Sequence, residues 1–127
     1  MDFTIKTNKR EEIIDITEKV KELVEGKKGK AVMVYCLHTT CSIIINEISN
    51  KDICEDILDF LRTRIPQGVW KHNCQEKNGD SHIKASILGS SQIIPIENGK
   101  LMLGTWQKIG LIELDGARER KIIVEVI

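Results

Sequence analysis

The sequence predicts an α+β fold built on a mostly antiparallel sheet, and two patterns carry that prediction. Helical periodicity is confined to three segments, whereas alternation of apolar and polar residues dominates the last third of the chain. Segregated strands and helices do not make the alternating βαβ order of a parallel sheet. No linker, repeat or low-complexity run interrupts the 127 residues, so one domain spanning residues 1–127 is expected.

Taken in order, Phe3, Ile5 and Thr7 alternate on one face, and Ile14 and Ile16 mark a second short run. Asn8-Lys9-Arg10 between them reads as a turn, which predicts an N-terminal hairpin. A helix follows from Thr17, with Val20, Leu23 and Val24 on one face, Asp15 as a capping group and Gly26 as its stop. Ala31–Leu37 reads as a buried central strand, and Ser42–Asn46 as a second strand after a break at His38-Thr39-Thr40. In the next helix, Ile53, Ile57, Leu58, Leu61 and Ile65 recur at helical spacing from Lys51 until Pro66 and Gly68 end it. A short third helix is expected over His82–Gly89. The remaining strands are Gln92–Ile96, Lys100–Gly104, Trp106–Leu114 and Lys121–Ile127, with hairpin-type turns at Glu97-Asn98-Gly99 and Asp115-Gly116.

Composition narrows the function. Nineteen basic residues balance nineteen acidic ones, with no basic block, which argues against nucleic acid and anionic membrane as partners. No apolar stretch approaches the roughly 20 residues of a membrane span, and the first residues lack a secretory pattern, so a soluble cytoplasmic protein is expected. The cysteines Cys36, Cys41, Cys54 and Cys74 form no C-x-x-C pair and read as reduced and structural. Cys41 stands near His38, but three residues along an extended chain put the two side chains on opposite faces, which disfavours a thiol–imidazole pair.

The chain has three histidines, His38, His72 and His82, separated by 34 and 10 residues, so neither a zinc finger nor an H-E-x-x-H helix is present. Each lies at or beside a break in regular structure among small or polar neighbours. Three neutral imidazoles with an open fourth position would suit a catalytic divalent metal, zinc above all; exposed loop histidines are the plain alternative. Glu47 and Asp115 are carboxylates near such breaks, Glu47 as a candidate base or ligand orienter and Asp115 otherwise a turn residue. Lys84, Ser86, Thr105 and Arg118 are candidate phosphate contacts, without any nucleotide-binding fingerprint. Trp106 is a candidate pocket wall, although core packing would also explain a tryptophan.

Three ordered motifs bind these residues together: H-T-T-x5-N-E from His38 to Glu47, N-G-x2-H-x-K-x-S-x2-G from Asn78 to Gly89, and G-T-W-Q-x7-D-G-x-R from Gly104 to Arg118. Together they resemble the YjbQ family over nearly the whole chain. Cys41-Ser42 stands where an Ala-Gly type pair is commoner, and Ala117 where proline is common. The resemblance implies a sandwich-like α+β domain with two main helices and a short third, assembled as a homotrimer. It implies a metal or ligand pocket at the subunit boundary, with His38, His72 and His82 as metal ligands and Glu47, Asn46 and Asp115 as catalytic groups. Thr39, Asn78, Lys84, Ser86, Thr105, Trp106, Gln107 and Arg118 would contact a small phosphorylated or anionic ligand.

The activity catalogued for the family is a secondary thiamine-phosphate synthase reaction, in which thiazole phosphate displaces pyrophosphate from a pyrimidine-methyl diphosphate. A leaving diphosphate needs cationic stabilisation from Lys84, Arg118 or a metal, and Mg²⁺ would accompany it through oxygen ligands. A three-imidazole site suits water activation better, which keeps a metal-dependent hydrolase or lyase as an alternative. A non-catalytic trimer that binds a small ligand or metal is the third reading.

Overall fold

The computed structural model describes residues 1–72 and 77–127; Cys74 lies outside the described residues. The order along the chain is β1 (Asp2–Lys6), β2 (Glu12–Asp15), α1 (Thr17–Val24), β3 (Ala31–Cys36), β4 (Cys41–Asn46) and α2 (Lys51–Arg64). It continues with α3 (Gly79–Leu88), β5 (Ser91–Glu97), β6 (Lys100–Leu101), β7 (Lys108–Glu113) and β8 (Glu119–Val126). Two antiparallel sheets result, a five-stranded one in the order β1-β8-β3-β5-β6 and a three-stranded one in the order β2-β7-β4. The fold is α+β, as the patterning predicts.

The sheets face each other across one core. Val32, Val34, Ile122 and Val124 of the large sheet meet Ile43, Ile109 and Leu111 of the small one, joined by Val20 and Val24 of α1. Each such side chain, fully removed from water, contributes about 1.5–3 kcal/mol. The far face of the small sheet is covered by α2 and α3, whose Leu58, Leu61 and Ala85 pack on Ile112 and Leu114. The outer face of the large sheet has no such cover from the described residues: Tyr35, Ile93 and the adjoining Leu37 stay exposed.

The helix ends follow local chemistry. Asp15 accepts the Thr17 N–H at 2.9 Å, and Asn50 accepts the Ile53 N–H at 3.1 Å, satisfying donors that have no partner within their helices. α3 begins at Gly79, three residues before the predicted start. Asp80 then sits in the first turn, where a carboxylate is favoured. Gly79 also admits a close approach: a Cβ there would lie 2.8 Å from the His72 carbonyl oxygen.

Two predicted hairpins do not form. β1 pairs with β8 in the large sheet, whereas β2 pairs with β7 in the small one, so the segment between them crosses the sandwich. The Asn8 and Lys9 N–H groups donate to the Glu12 carboxylate at 2.7 and 2.9 Å, a side-chain substitute for a strand partner. Asp115-Gly116 likewise carries the chain from β7 in one sheet to β8 in the other. Gly116 is needed there for room, since a Cβ would stand 2.2 Å from the Lys9 carbonyl oxygen. The turn at Asn98-Gly99 does join a hairpin, β5 to β6, with both residues at positive φ. β6 is shorter than its predicted run: beyond Leu101 the Met102 N–H still donates to the Pro95 carbonyl of β5 at 2.8 Å, and the Leu103 N–H turns back to the Leu101 carbonyl ahead of the Gly104–Gln107 turn.

Candidate functional site

β4 and β7 run antiparallel over six residues, with Cys41 opposite Glu113 at one end and Asn46 opposite Lys108 at the other. Five steps along a strand span roughly 17 Å. This register divides two of the sequence motifs. His38-Thr39-Thr40 and Asp115–Arg118 emerge at the first end, and Asn46-Glu47 and Thr105-Trp106-Gln107 at the second. The candidate residues therefore form two clusters within one chain.

The first cluster lines an open cleft of about 660 Å³, walled by His38, Thr39, Asn78, His82, Asp115 and Arg118. Arg120 and Thr40 form its floor, and of the two only Thr40 belongs to a sequence motif. Arg120 is 3% exposed; its Nε donates to Glu113 at 2.9 Å and its Nη2 to Thr40 Oγ1 at 2.8 Å. Glu113 also accepts from Thr7 Oγ1 at 2.7 Å and from the Asp115 N–H at 3.1 Å. Burial alone would raise the Glu113 pKa, but bonds from Arg120 and Thr7 outweigh it and hold the carboxyl below its usual range. The alternation Glu119-Arg120-Lys121 hides this arginine, because it occupies an inward strand position within a charged run.

On the wall, Asp115 accepts from Asn78 Nδ2 and from Arg118 Nη2, each at 2.9 Å, while Arg118 Nε donates to the Asp115 carbonyl at 2.7 Å. The Arg118 side chain is 42% exposed, and Asp115 holds one edge of its guanidinium. His38 accepts the Lys121 N–H at Nε2, 2.8 Å away. Burial and the Arg120 charge lower its pKa, and the neutral imidazole that results is the form able to accept this bond.

The histidines lie in one neighbourhood. His38 and His82 share the cleft, and the His72 ring meets the His82 ring edge-on at 5.0 Å between centroids. His38 Nε2 is engaged by a backbone amide, and among the described residues no three His, Cys, Asp or Glu side chains are placed to hold a metal ion. Cys41 faces the core instead of the cleft, fully buried; its hydrogen bond with Cys36 and its burial raise its pKa strongly.

Lys84 stands apart from the cleft. It is 1% exposed, and its Nζ donates to Asp80 at 2.8 Å and to Glu11 at 3.0 Å. Arg10 reaches Asp80 at 3.0 Å and Arg62 reaches Glu11 at 2.9 Å, completing a charge cluster behind α3. Ser86 lines a smaller depression of about 230 Å³ beside His38, Thr39 and His82, and its hydroxyl donates to the His82 carbonyl. The second cluster is a protruding turn. Gly104–Gln107 is exposed, Trp106 is 70% exposed, and Gln107 Oε1 accepts the Gly104 N–H at 2.8 Å; Asn46 and Glu47 lie beside it at the end of β4.

Comparison with known proteins gives the family and agrees with the fold. The family described as UPF0047 protein YjbQ-like matches residues 1–127. A UPF0047 protein of Archaeoglobus fulgidus is 47% identical over 128 residues, spanning all of both chains. The UPF0047 protein YugU of Bacillus subtilis is 40% identical, over 96% of this chain and 94% of its own. A crystal structure of a YjbQ/UPF0047-family protein from Clostridium acetobutylicum superposes with a TM-score of 0.94 at 46% identity, over 100% of this chain and 99% of that one. A YjbQ-like protein of unknown function from Sulfolobus solfataricus gives the same TM-score at 38% identity, over 99% of this chain and 94% of that one. The chain belongs to the YjbQ/UPF0047 family.

Proposed function

We propose that the chain binds a small phosphorylated ligand in the His38–Arg118 cleft and there carries a weak thiamine-phosphate synthase type activity. One observation supports this most: Arg118, Asn78, Thr39, His38 and His82 gather on a single concavity of about 660 Å³, suited to a diphosphate-sized anion. Arg118 presents a planar, partly exposed fork held by Asp115, which matches the oxygens of a leaving diphosphate. Thr39 and Asn78 add polar contacts. Neutral His38, with His82 beside it, can orient the ligand as the thiazole nitrogen attacks the pyrimidine methylene. Mg²⁺ enters as part of the diphosphate substrate, and no step is assigned to zinc.

The assembly proposed is a homotrimer. The uncovered outer face of the five-stranded sheet, with Ile93 and Leu37 exposed, is the surface that a neighbouring copy would cover. The test is product formation from thiazole phosphate and a pyrimidine-methyl diphosphate with Mg²⁺. Slow turnover that disappears in Arg118→Ala is the expected result. Wild-type protein that neither turns over nor binds pyrophosphate would remove this reading. Pyrophosphate binding without turnover would instead favour a non-catalytic ligand-binding trimer.

A further inference from the structure

We infer that Cys36 and Cys41 form a site of oxidative modification, where a peroxide joins them as a reversible disulfide that ties the two sheets together beneath the His38-Thr39-Thr40 turn. The inference does not depend on which ligand the cleft takes.

The placement of the two thiols carries it. Cys36 ends β3 in the large sheet and Cys41 begins β4 in the small one, so residues 37–40 cross from one sheet to the other. Both cysteines belong to the core, 1% and 0% exposed. There Cys36 Sγ donates to the Cys41 carbonyl oxygen at 3.4 Å, and the two thiols lie within hydrogen-bonding reach of each other. Sulfurs already in contact have only to close to the ~2.05 Å of a disulfide. Cys54 is no competitor within the chain: it sits on α2, its Sγ donating to the Ile48 carbonyl at 3.3 Å. The cover over the pair is the turn itself. His38 Nε2 accepts the Lys121 N–H, and the Thr40 carbonyl accepts the Leu114 N–H at 3.2 Å. Local opening of these bonds admits a molecule as small as hydrogen peroxide while the rest of the core stays folded.

The chemistry balances with peroxide as the oxidant. One sulfur, as thiolate, attacks a peroxide oxygen; an S–O bond forms, the O–O bond breaks, and the departing hydroxide takes up the thiol's proton as water. The second sulfur then attacks the sulfenic sulfur. The S–S bond forms, the S–O bond breaks, and the hydroxide released takes the second thiol's proton. Two thiols give up two electrons and two protons, and one hydrogen peroxide becomes two waters. The product pins the turn that carries His38 and Thr39 in the cleft wall, so oxidation stiffens that wall and reduction frees it.

The sequence makes the test direct. No Lys or Arg lies between Lys30 and Lys51, so trypsin releases both cysteines in one peptide, residues 31–51, apart from Cys54 and Cys74. Full-length native protein is treated with hydrogen peroxide and then unfolded in the presence of N-ethylmaleimide. Mass spectrometry should find this peptide unlabelled and two hydrogen atoms lighter, with both labels gained after reduction. Two labels without reduction, or sulfinic acid in place of the link, would overturn the inference. Equilibration with reduced and oxidised glutathione separates the fold from mere closeness in sequence. The ratio of linked to open peptide should be at least about tenfold higher in native protein than in concentrated urea. An equal or lower ratio in the native protein would show that the fold does not favour the bond, and would also overturn it. Cys41→Ala should lose the link. A Cys36 disulfide that persists in this variant would assign Cys36 another partner and refute the pair.

Discussion

Two buried cations are placed to do different things, one at the candidate cleft and one apart from it. Arg120 forms its floor, tied to Glu113 and Thr40. Lys84 is a buried residue of α3, enclosed by Asp80 and Glu11. Both charges are compensated and buried. Arg118 is also paired, with Asp115, but its side chain is more exposed than either. A cation inside a family motif, such as Lys84, can therefore serve the scaffold.

The comparison is broken most severely at Glu113–Arg120. Arg120→Ala strands Glu113 beside a hydrophobic core, and removing one partner of a buried pair costs about 3–5 kcal/mol. Chemical denaturation should show that loss; a change under about 1 kcal/mol would mean the pair is dispensable. Lys84→Met comes next. Asp80 and Glu11 keep Arg10 and Arg62 as partners, so a loss of about 2 kcal/mol is expected. Pyrophosphate affinity should change less than threefold, and a tenfold loss would move Lys84 from scaffold to ligand site.

Arg118→Ala should reverse that pattern. Its part-exposed pair with Asp115 contributes less than about 1 kcal/mol to stability, while loss of an anion contact should weaken pyrophosphate binding at least tenfold. Acid titration sharpens the contrast further. Glu113 and Asp80 both have pKa values held down in the folded state, Asp80 because bonds from Lys84 and Arg10 outweigh its burial. Below their unfolded values, about 4, the unfolded chain binds more protons, so stability falls as pH falls towards the folded values. Wild-type stability should decline through that window, and Glu113→Gln should flatten the decline while lowering stability at neutral pH. The smallest effect is expected at His38→Ala, which removes one exposed acceptor and costs about 0.5–1 kcal/mol.

The alternation and helical spacing alone determined the fold class, the central place of β3, the end of α2 and the capping role of Asp15. These are local consequences of period, cap and turn chemistry. The ordered motifs also carried the family. What local pattern could not determine was where strands pair. The N-terminal hairpin and the Asp115-Gly116 hairpin were both expected, yet each turn crosses between sheets, because β1 and β2 find longer partners in β8 and β7. A turn motif specifies a change of direction, not the sheet that receives the next strand. The same holds for the candidate site. His38, Asn78, His82, Asp115 and Arg118 meet only because α3 packs against β4 and β7 emerges beside the His-Thr-Thr turn. Arg120 was hidden in a charged run, and Lys84 looked available, because sequence shows a charge but not the partner that neutralises it. The separation of Glu47 and Trp106 from the cleft was likewise decided in three dimensions, by a strand that carries its two ends roughly 17 Å apart.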